Sequence, residues 1–143
     1  MGIIKFNQIP NTFVIIGLGL IGGSFALSAK KSISDCSLYG TDSNPVHQKE
    51  AYELGIINKS LTPSNYSQMD VIILAVPVNA VLEIILSLLD QINDNALLID
   101  VGSTKEIICE KVKLHSKRNQ FLATHPIAGL SLIHISEPTR LAE

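Results

Sequence analysis

The sequence predicts an α/β fold, a doubly wound and mostly parallel sheet with crossover helices. Three observations carry that expectation. Short runs that are apolar throughout alternate with longer amphipathic ones, the pattern of strands buried on both faces and of the helices that cover them. The first apolar run passes directly into a glycine cluster, Gly17, Gly19, Gly22 and Gly23, and from there into a helical pattern. The turn-forming residues Gly and Pro fall between the periodic segments, with Gly55 and Pro77 as the clearest stops.

Taken in order, Thr12–Ile16 is expected as the first strand, followed by a helix over 20–31. Ser37–Thr41 is the second strand, ending at Asp42. Pro45 suits the first turn of a helix that runs over 45–54 and stops at Gly55. Ile56 and Ile57 are expected as a short third strand, and the polar stretch 62–68 as a loop. Residues 70–76 read as the clearest strand of the chain, ended by Pro77, which cannot donate to a ladder. The following helix, 78–89, places Val81, Leu82, Ile85, Leu88 and Leu89 at helical spacing. A buried strand over 96–101, a helix over 105–115 and a last short strand over 121–124 complete the pattern and lead into His125-Pro126.

Composition narrows the function classes. A chain of 143 residues, 46% hydrophobic and 17% charged, fits one domain able to bury a core without disulfide staples. A net charge of -2 gives no electrostatic reason for a nucleic acid or an anionic membrane as partner. The absence of Trp argues against a stacking platform for single-stranded bases. Cys36 and Cys109 form no C-x-x-C pair and no metal-ligand cluster, which suggests a reducing, cytoplasmic setting. Lys5 and the apolar stretch 13–27 superficially resemble a secretory signal, but the glycines inside it, and its shortness for a membrane span, favour the fold reading.

Four constellations carry chemistry. The first is Gly17-Leu18-Gly19-Leu20-Ile21-Gly22, a G-x-G-x-x-G between strand and helix, with the acid Asp42 standing twenty residues after Gly22 at the end of the second strand. That combination is the dinucleotide-binding arrangement of a Rossmann-type fold: Gly17 for a tight turn, Gly19 for backbone approach to a pyrophosphate, Gly22 for close packing of helix on strand. The bland alternative is a glycine-rich turn with no ligand. Asp42 would accept hydrogen bonds from both adenosine-ribose hydroxyls and repel a 2′-phosphate, and Ser43, Asn44 and Pro45 offer no Arg to welcome one, so NAD is favoured over NADP. Its alternative role is to cap the next helix or shape a turn.

The second constellation, Ala75-Val76-Pro77-Val78, lies at the carboxyl end of a strand, where Val76 and Pro77 would flank the cofactor, or would simply punctuate the strand. The third, Asp100-Val101-Gly102-Ser103-Thr104-Lys105, again runs from strand to helix, with Ser103 or Thr104 as candidate N-cap. Asp100 is a functional acid or accepts only backbone bonds. The fourth is His125-Pro126-Ile127-Ala128-Gly129. His125 follows a strand on the same edge of the sheet, and its near-neutral pKa class suits proton removal from a hydroxyl as a hydride departs. His47, His115 and His134 are assigned no chemistry. No spacing supports a metal site or a nucleophilic triad.

Together, GLGLIGGS, DVIILAVPV, DVGSTK and HPIAG resemble the prephenate and arogenate dehydrogenase family over nearly all of residues 13–129. The resemblance implies NAD-dependent oxidative decarboxylation of prephenate to 4-hydroxyphenylpyruvate in tyrosine biosynthesis, with arogenate as the alternative substrate. It implies that His125 is the catalytic histidine, bonded to the ring hydroxyl and assisting loss of its proton, and that Ser103 helps hold that hydroxyl near the nicotinamide. A noncatalytic NAD-binding module would use the glycine turn and Asp42 but not His125.

The family continues into a largely helical second domain that supplies a homodimer interface and an arginine for the substrate carboxylates, and this sequence has no such domain after Gly129. Ser131 to Arg140 instead resembles the peptide obtained when a sequencing-library adapter is translated as coding DNA. The expected organisation is therefore an NAD-binding domain over 1–129 and a non-native tail over 130–143 that contributes little to the core, the alternative being a natural strand over 132–135. A fragment of this kind would bind NAD and turn over substrate slowly or not at all.

Overall fold

A computed structural model describes residues 10, 12–32, 36–60, 63–102 and 105–124. Ser103, Thr104, His125 and the whole 130–143 tail, and with them the expectations placed on those residues, lie outside the described residues.

Six strands form one sheet: β1 (Thr12–Ile16), β2 (Ser37–Thr41), β3 (Lys59–Ser60), β4 (Val71–Leu74), β5 (Leu97–Asp100) and β6 (Phe121–Ala123). Their order is β3-β2-β1-β4-β5-β6, and every pairing is parallel. Four helices connect them: α1 (Leu20–Ser32), α2 (Pro45–Glu53), α3 (Val78–Gln91) and α4 (Glu106–Val112). The expected doubly wound arrangement is thus present, with the strand order reversing between β1 and β4.

The two faces of the sheet are sealed separately, which is why the strands read as unbroken apolar runs. Along β1, Phe13 and Ile15 face one way, with Phe25, Ala26 and Ala29 of α1 and Ala51 of α2. Val14 and Ile16 face the other, with Val81, Ile85, Leu88 and Leu89 of α3 and Ile108 and Val112 of α4. The α1 contacts recur at helical spacing, and fully burying Phe25 alone is worth about 2–3 kcal/mol. Lys30 and Lys31 complement the helix dipole in the last turn of α1.

Several elements differ from the sequence expectation. Ile56 and Ile57 are not a strand. Gly55, at φ +72°, closes α2: its N–H donates to Tyr52 O at 3.1 Å and that of Ile56 to Ala51 O at 2.9 Å, the paired bonds of a Schellman ending. The third strand comes two residues later, at Lys59–Ser60, where it pairs with Tyr39 and Gly40. Within the stretch expected as loop, Pro63–Gln68 winds into a 3-10 helix. β4 ends at Leu74 rather than at Val76. Its partner β1 ends at Ile16, after which Gly17 turns away to donate to Thr41 O at 2.8 Å, and Ala75 N–H makes the last bond across, to Ile16 O at 2.8 Å. Among the described residues the N-cap position of α4 falls on Lys105.

Candidate functional site

The glycine turn sits at the carboxyl ends of β1 and β4, where the strand order reverses. Gly17 adopts φ +101°, which a side chain would strain, and a Cβ there would stand 2.4 Å from Ala75 O and 2.8 Å from Val76 Cγ1. The first two motifs of the sequence are therefore in direct contact, with Val76 half-buried and Pro77 exposed beside the turn. Gly22 is required for a different reason: a Cβ on it would meet Gly17 O at 1.7 Å, so α1 can lie this close to the turn only without one. At Gly19, by contrast, no heavy atom of the described residues beyond its two chain neighbours lies within 4 Å of such a Cβ. Nothing in the fold needs that position to be glycine, whereas a ligand lying against the backbone would.

Helix α1 takes its first bond from Gly23 N–H to Gly19 O, at 2.8 Å. The N–H groups of Leu20, Ile21 and Gly22 then have no acceptor within the helix, and this first turn carries a partial positive charge suited to phosphate. Leu20 and Ile21 are exposed, whereas Leu18 is buried against Gly40 of β2, where a Cβ would stand 3.0 Å from Leu18 Cδ2. Sequence reasoning passed over Gly40, a glycine inside a strand whose signal was its position level with the glycine turn.

Asp42, at the end of β2, reaches back to that turn. Its Oδ2 accepts from Leu18 N–H at 2.7 Å and its Oδ1 from Asn44 N–H at 2.8 Å. Asn44 caps α2 instead, its side chain accepting from Val46 N–H at 3.0 Å, with Pro45 in the first turn. Asp42 thus shapes the turn into α2 and clamps the glycine loop, but it is not the cap. Burial pushes its carboxyl upward, yet the N–H groups of Asn44 and Leu18 and the ring of His47 outweigh that and hold its pKa below the ordinary carboxylate value. Each oxygen carries one backbone bond and keeps acceptor capacity for a hydroxyl. His47 Nδ1 lies 3.6 Å from Oδ2, a neighbour that sequence reasoning left without a role.

The strand ends that lead into the third and fourth motifs lie side by side on the same edge. Asp100 pairs in register with Leu74 and Ala123, its carbonyl accepts from Thr124 N–H at 2.9 Å, and Val101 N–H donates to Leu74 O at 3.1 Å. The residues preceding Ser103 and His125 are therefore adjacent. The Asp100 side chain is fully buried on the α3–α4 face, and among the described residues neither oxygen finds a well-formed hydrogen bond. Burial pushes its pKa up, against the weaker pull of the Gly102 N–H and of Lys105. A buried carboxyl in this state favours its neutral form.

These residues fit a dinucleotide: an open glycine backbone at Gly19, free helix N–H groups, and a fixed carboxylate with lone pairs to spare. Among the described residues no group of His, Cys, Asp or Glu is arranged to hold a metal ion, and no helix is long and apolar enough to cross a membrane. Cys36 and Cys109 are both free.

Comparison with known proteins agrees with this geometry. The family model "Prephenate dehydrogenase, nucleotide-binding domain" matches residues 25–137. The prephenate dehydrogenase of Lactococcus lactis subsp. cremoris is 37% identical over 120 residues, 81% of this chain and 34% of that protein. The chain spans about a third of the length of the curated relatives it matches. Among solved structures, prephenate dehydrogenase from A. aeolicus, in complex with hydroxyphenyl propionate and NAD+, superposes with a TM-score of 0.73 at 31% identity, covering 86% of this chain and 44% of that one. Synechocystis arogenate dehydrogenase gives 0.68 at 25% identity, over 80% of this chain and 40% of that one. With the strand order, the glycine turn and the Asp42 clamp in place, the chain belongs to the family of prephenate dehydrogenase nucleotide-binding domains.

Proposed function

We propose that this chain is the NAD-binding part of a cytoplasmic, homodimeric enzyme that converts prephenate to 4-hydroxyphenylpyruvate by NAD-dependent oxidative decarboxylation, a step of tyrosine biosynthesis. The observation that carries the cofactor is the Asp42 carboxylate, fixed by Leu18 N–H at 2.7 Å and standing where a ribose diol would donate to it. Gly17, Leu18, Gly19, Leu20, Ile21 and Gly22 hold the pyrophosphate through backbone, and Val76, Pro77 and Ser103 line the nicotinamide side. When bound, NAD supplies the hydride acceptor, and loss of carbon dioxide with ring aromatisation drives the transfer. Ser103 holds the ring hydroxyl and His125 accepts its proton, which leaves the protein chiefly the work of positioning.

Arogenate is the second reading of the substrate, favoured by the likeness to the Synechocystis arogenate dehydrogenase. Titration of the chain with NAD tests the cofactor: saturable binding that Asp42→Ala weakens at least tenfold supports it, and no binding refutes it. Turnover is tested in the protein encoded by the source DNA re-read through and beyond the Gly129 codon. His125→Asn should abolish turnover there and leave NAD binding intact, and unchanged turnover would reduce the chain to a binding module. Rates with prephenate and arogenate side by side decide the substrate. The same DNA reading tests whether 130–143 is native, since the family match itself runs on to residue 137.

A further inference from the structure

We propose that His47 is a specificity-determining residue of this domain, set against the adenosine-ribose subsite, and that its protonation relaxes discrimination against a 2′-phosphate. The inference rests on the NAD reading above and goes beyond it, because it concerns which nicotinamide dinucleotide the site admits and when.

Local structure fixes the placement. Asn44 caps α2 and Pro45 opens it, so the orientation of the first turn is set before His47 is reached. The ring then lies over the end of β2 with Nδ1 3.6 Å from Asp42 Oδ2, and the His47 side chain is 46% exposed against 11% for Asp42. Asp42 does not depend on it for orientation, because the N–H groups of Leu18 and Asn44 already hold one oxygen each. The histidine is thus a partly exposed neighbour of a fixed anion.

The other titratable groups nearby do not duplicate it. Helix α2 also carries Lys49, Glu50, Tyr52 and Glu53, of which Lys49 and Glu53 pair with each other at 3.9 Å. The glycine turn, residues 17–22, brings no titratable side chain, and Tyr39 of β2 packs into the cluster on the opposite face of the sheet.

The chemistry follows from charge. A ribose diol donates hydrogen bonds and is served by a carboxylate alone. A 2′-phosphate carries roughly -1.5 to -2 at neutral pH and is repelled by that carboxylate. With a neutral imidazole the subsite has a net charge of -1, and the phosphate is excluded. With an imidazolium the subsite is neutral, and the ring N–H can donate to a phosphate oxygen. Histidine changes charge within the range from pH 5 to 8, so discrimination should weaken as pH falls.

The test is direct binding of NAD and NADP to the chain, with His47→Gln and His47→Lys beside wild type, at pH 5.5 and pH 8. The 2′-phosphate has its own ionisation near pH 6, which contributes equally to all three proteins, so the quantity read is the difference between wild type and His47→Gln. Between pH 8 and pH 5.5 the ratio of the NADP to the NAD dissociation constant should fall about three- to tenfold more in wild type than in His47→Gln. His47→Lys should show the lowered ratio at both pH values. If His47→Gln tracks wild type while all three bind NAD, the inference is overturned and the cofactor reading stands. If none binds NAD at either pH, both fall together.

Discussion

The two edges of this sheet are built on opposite principles. At the amino edge, polar side chains satisfy the backbone. Asp70 Oδ2 accepts from Thr12 N–H at 3.2 Å, and Asn58 Oδ1 from Leu38 N–H at 2.8 Å. Asn93 donates to Ser67 O and Met69 O, and Gln120 to Asn93 O and Ala96 O. His115 accepts Lys117 N–H at Nδ1, and its Nε2 lies 2.7 Å from Asp90 Oδ1. At the carboxyl edge, the glycine backbone is left open, helix N–H groups have no helical acceptor, and among the described residues the buried Asp100 oxygens have no well-formed hydrogen bond. One edge closes its hydrogen-bond account and the other keeps it open, which is the arrangement expected where stability is concentrated away from a binding site.

That contrast can be broken by substitution, and the largest effect on stability should come from Gly17→Ala. It combines a φ of +101° with a backbone oxygen 2.4 Å from the new Cβ, and the turn cannot yield without pulling on Ala75. A loss of about 3–4 kcal/mol is expected in urea unfolding, together with loss of NAD binding. A fully stable Gly17→Ala protein would show that the turn is less fixed than its geometry implies.

Asn93→Ala comes next and probes the other edge. It removes donors to two carbonyls and an acceptor for Asn95 N–H, at a cost of about 1–2 kcal/mol, while the NAD dissociation constant stays within twofold. A change in NAD affinity without loss of stability would contradict the division of labour between the edges.

Asp100→Asn should act in the opposite direction, raising stability by about 1 kcal/mol at pH 7.5. The sign follows from its raised pKa. Between the ordinary value of 3.8 and the raised one, the folded chain binds more protons than the unfolded chain, so stability falls as pH climbs through that window. Denaturation midpoints of wild type minus Asp100→Asn should therefore decline from pH 4 upward. A difference that is flat with pH would mean that Asp100 has the same proton affinity folded and unfolded.

Most of this contrast was legible in the residues, for reasons that also explain the misses. The glycine turn and Asp42 could be read because their spacing has a mechanism: one position needs positive φ, one needs close packing, and the acid must end the next strand. The helices were legible from spacing, as in Val81, Ile85, Leu88 and Leu89. Ile56 and Ile57 misled because an apolar pair after a helix looks like a strand, while the bonds that decide it come from Gly55 and from the carbonyls of α2. Lys59–Ser60 is an edge strand of two polar residues, held by pairing to β2 rather than by any local preference. The complete burial of Asp100 was not legible at all, since burial is a property of everything packed around a residue. His47 was missed for a related reason: its role depends on a helix cap that turns it toward Asp42.

Gly19→Ala should have the smallest effect on stability, and for that reason it separates the two principles most sharply. No heavy atom of the described residues beyond its two chain neighbours lies within 4 Å of the added methyl, and the backbone there is not in the left-handed region, so unfolding free energy should stay within about 0.5 kcal/mol of wild type. A methyl group at that point nevertheless stands where a pyrophosphate must touch the backbone, and NAD affinity should drop at least about tenfold. Equal stability with lost binding would show that the openness of the carboxyl edge is reserved for a ligand. Equal stability with retained binding would place the phosphates elsewhere and leave Gly19 as an ordinary turn residue. Gly17 and Gly19 are two residues apart, one held by the fold and one by what the fold receives, and only the pair of substitutions distinguishes a glycine needed for folding from one needed for binding.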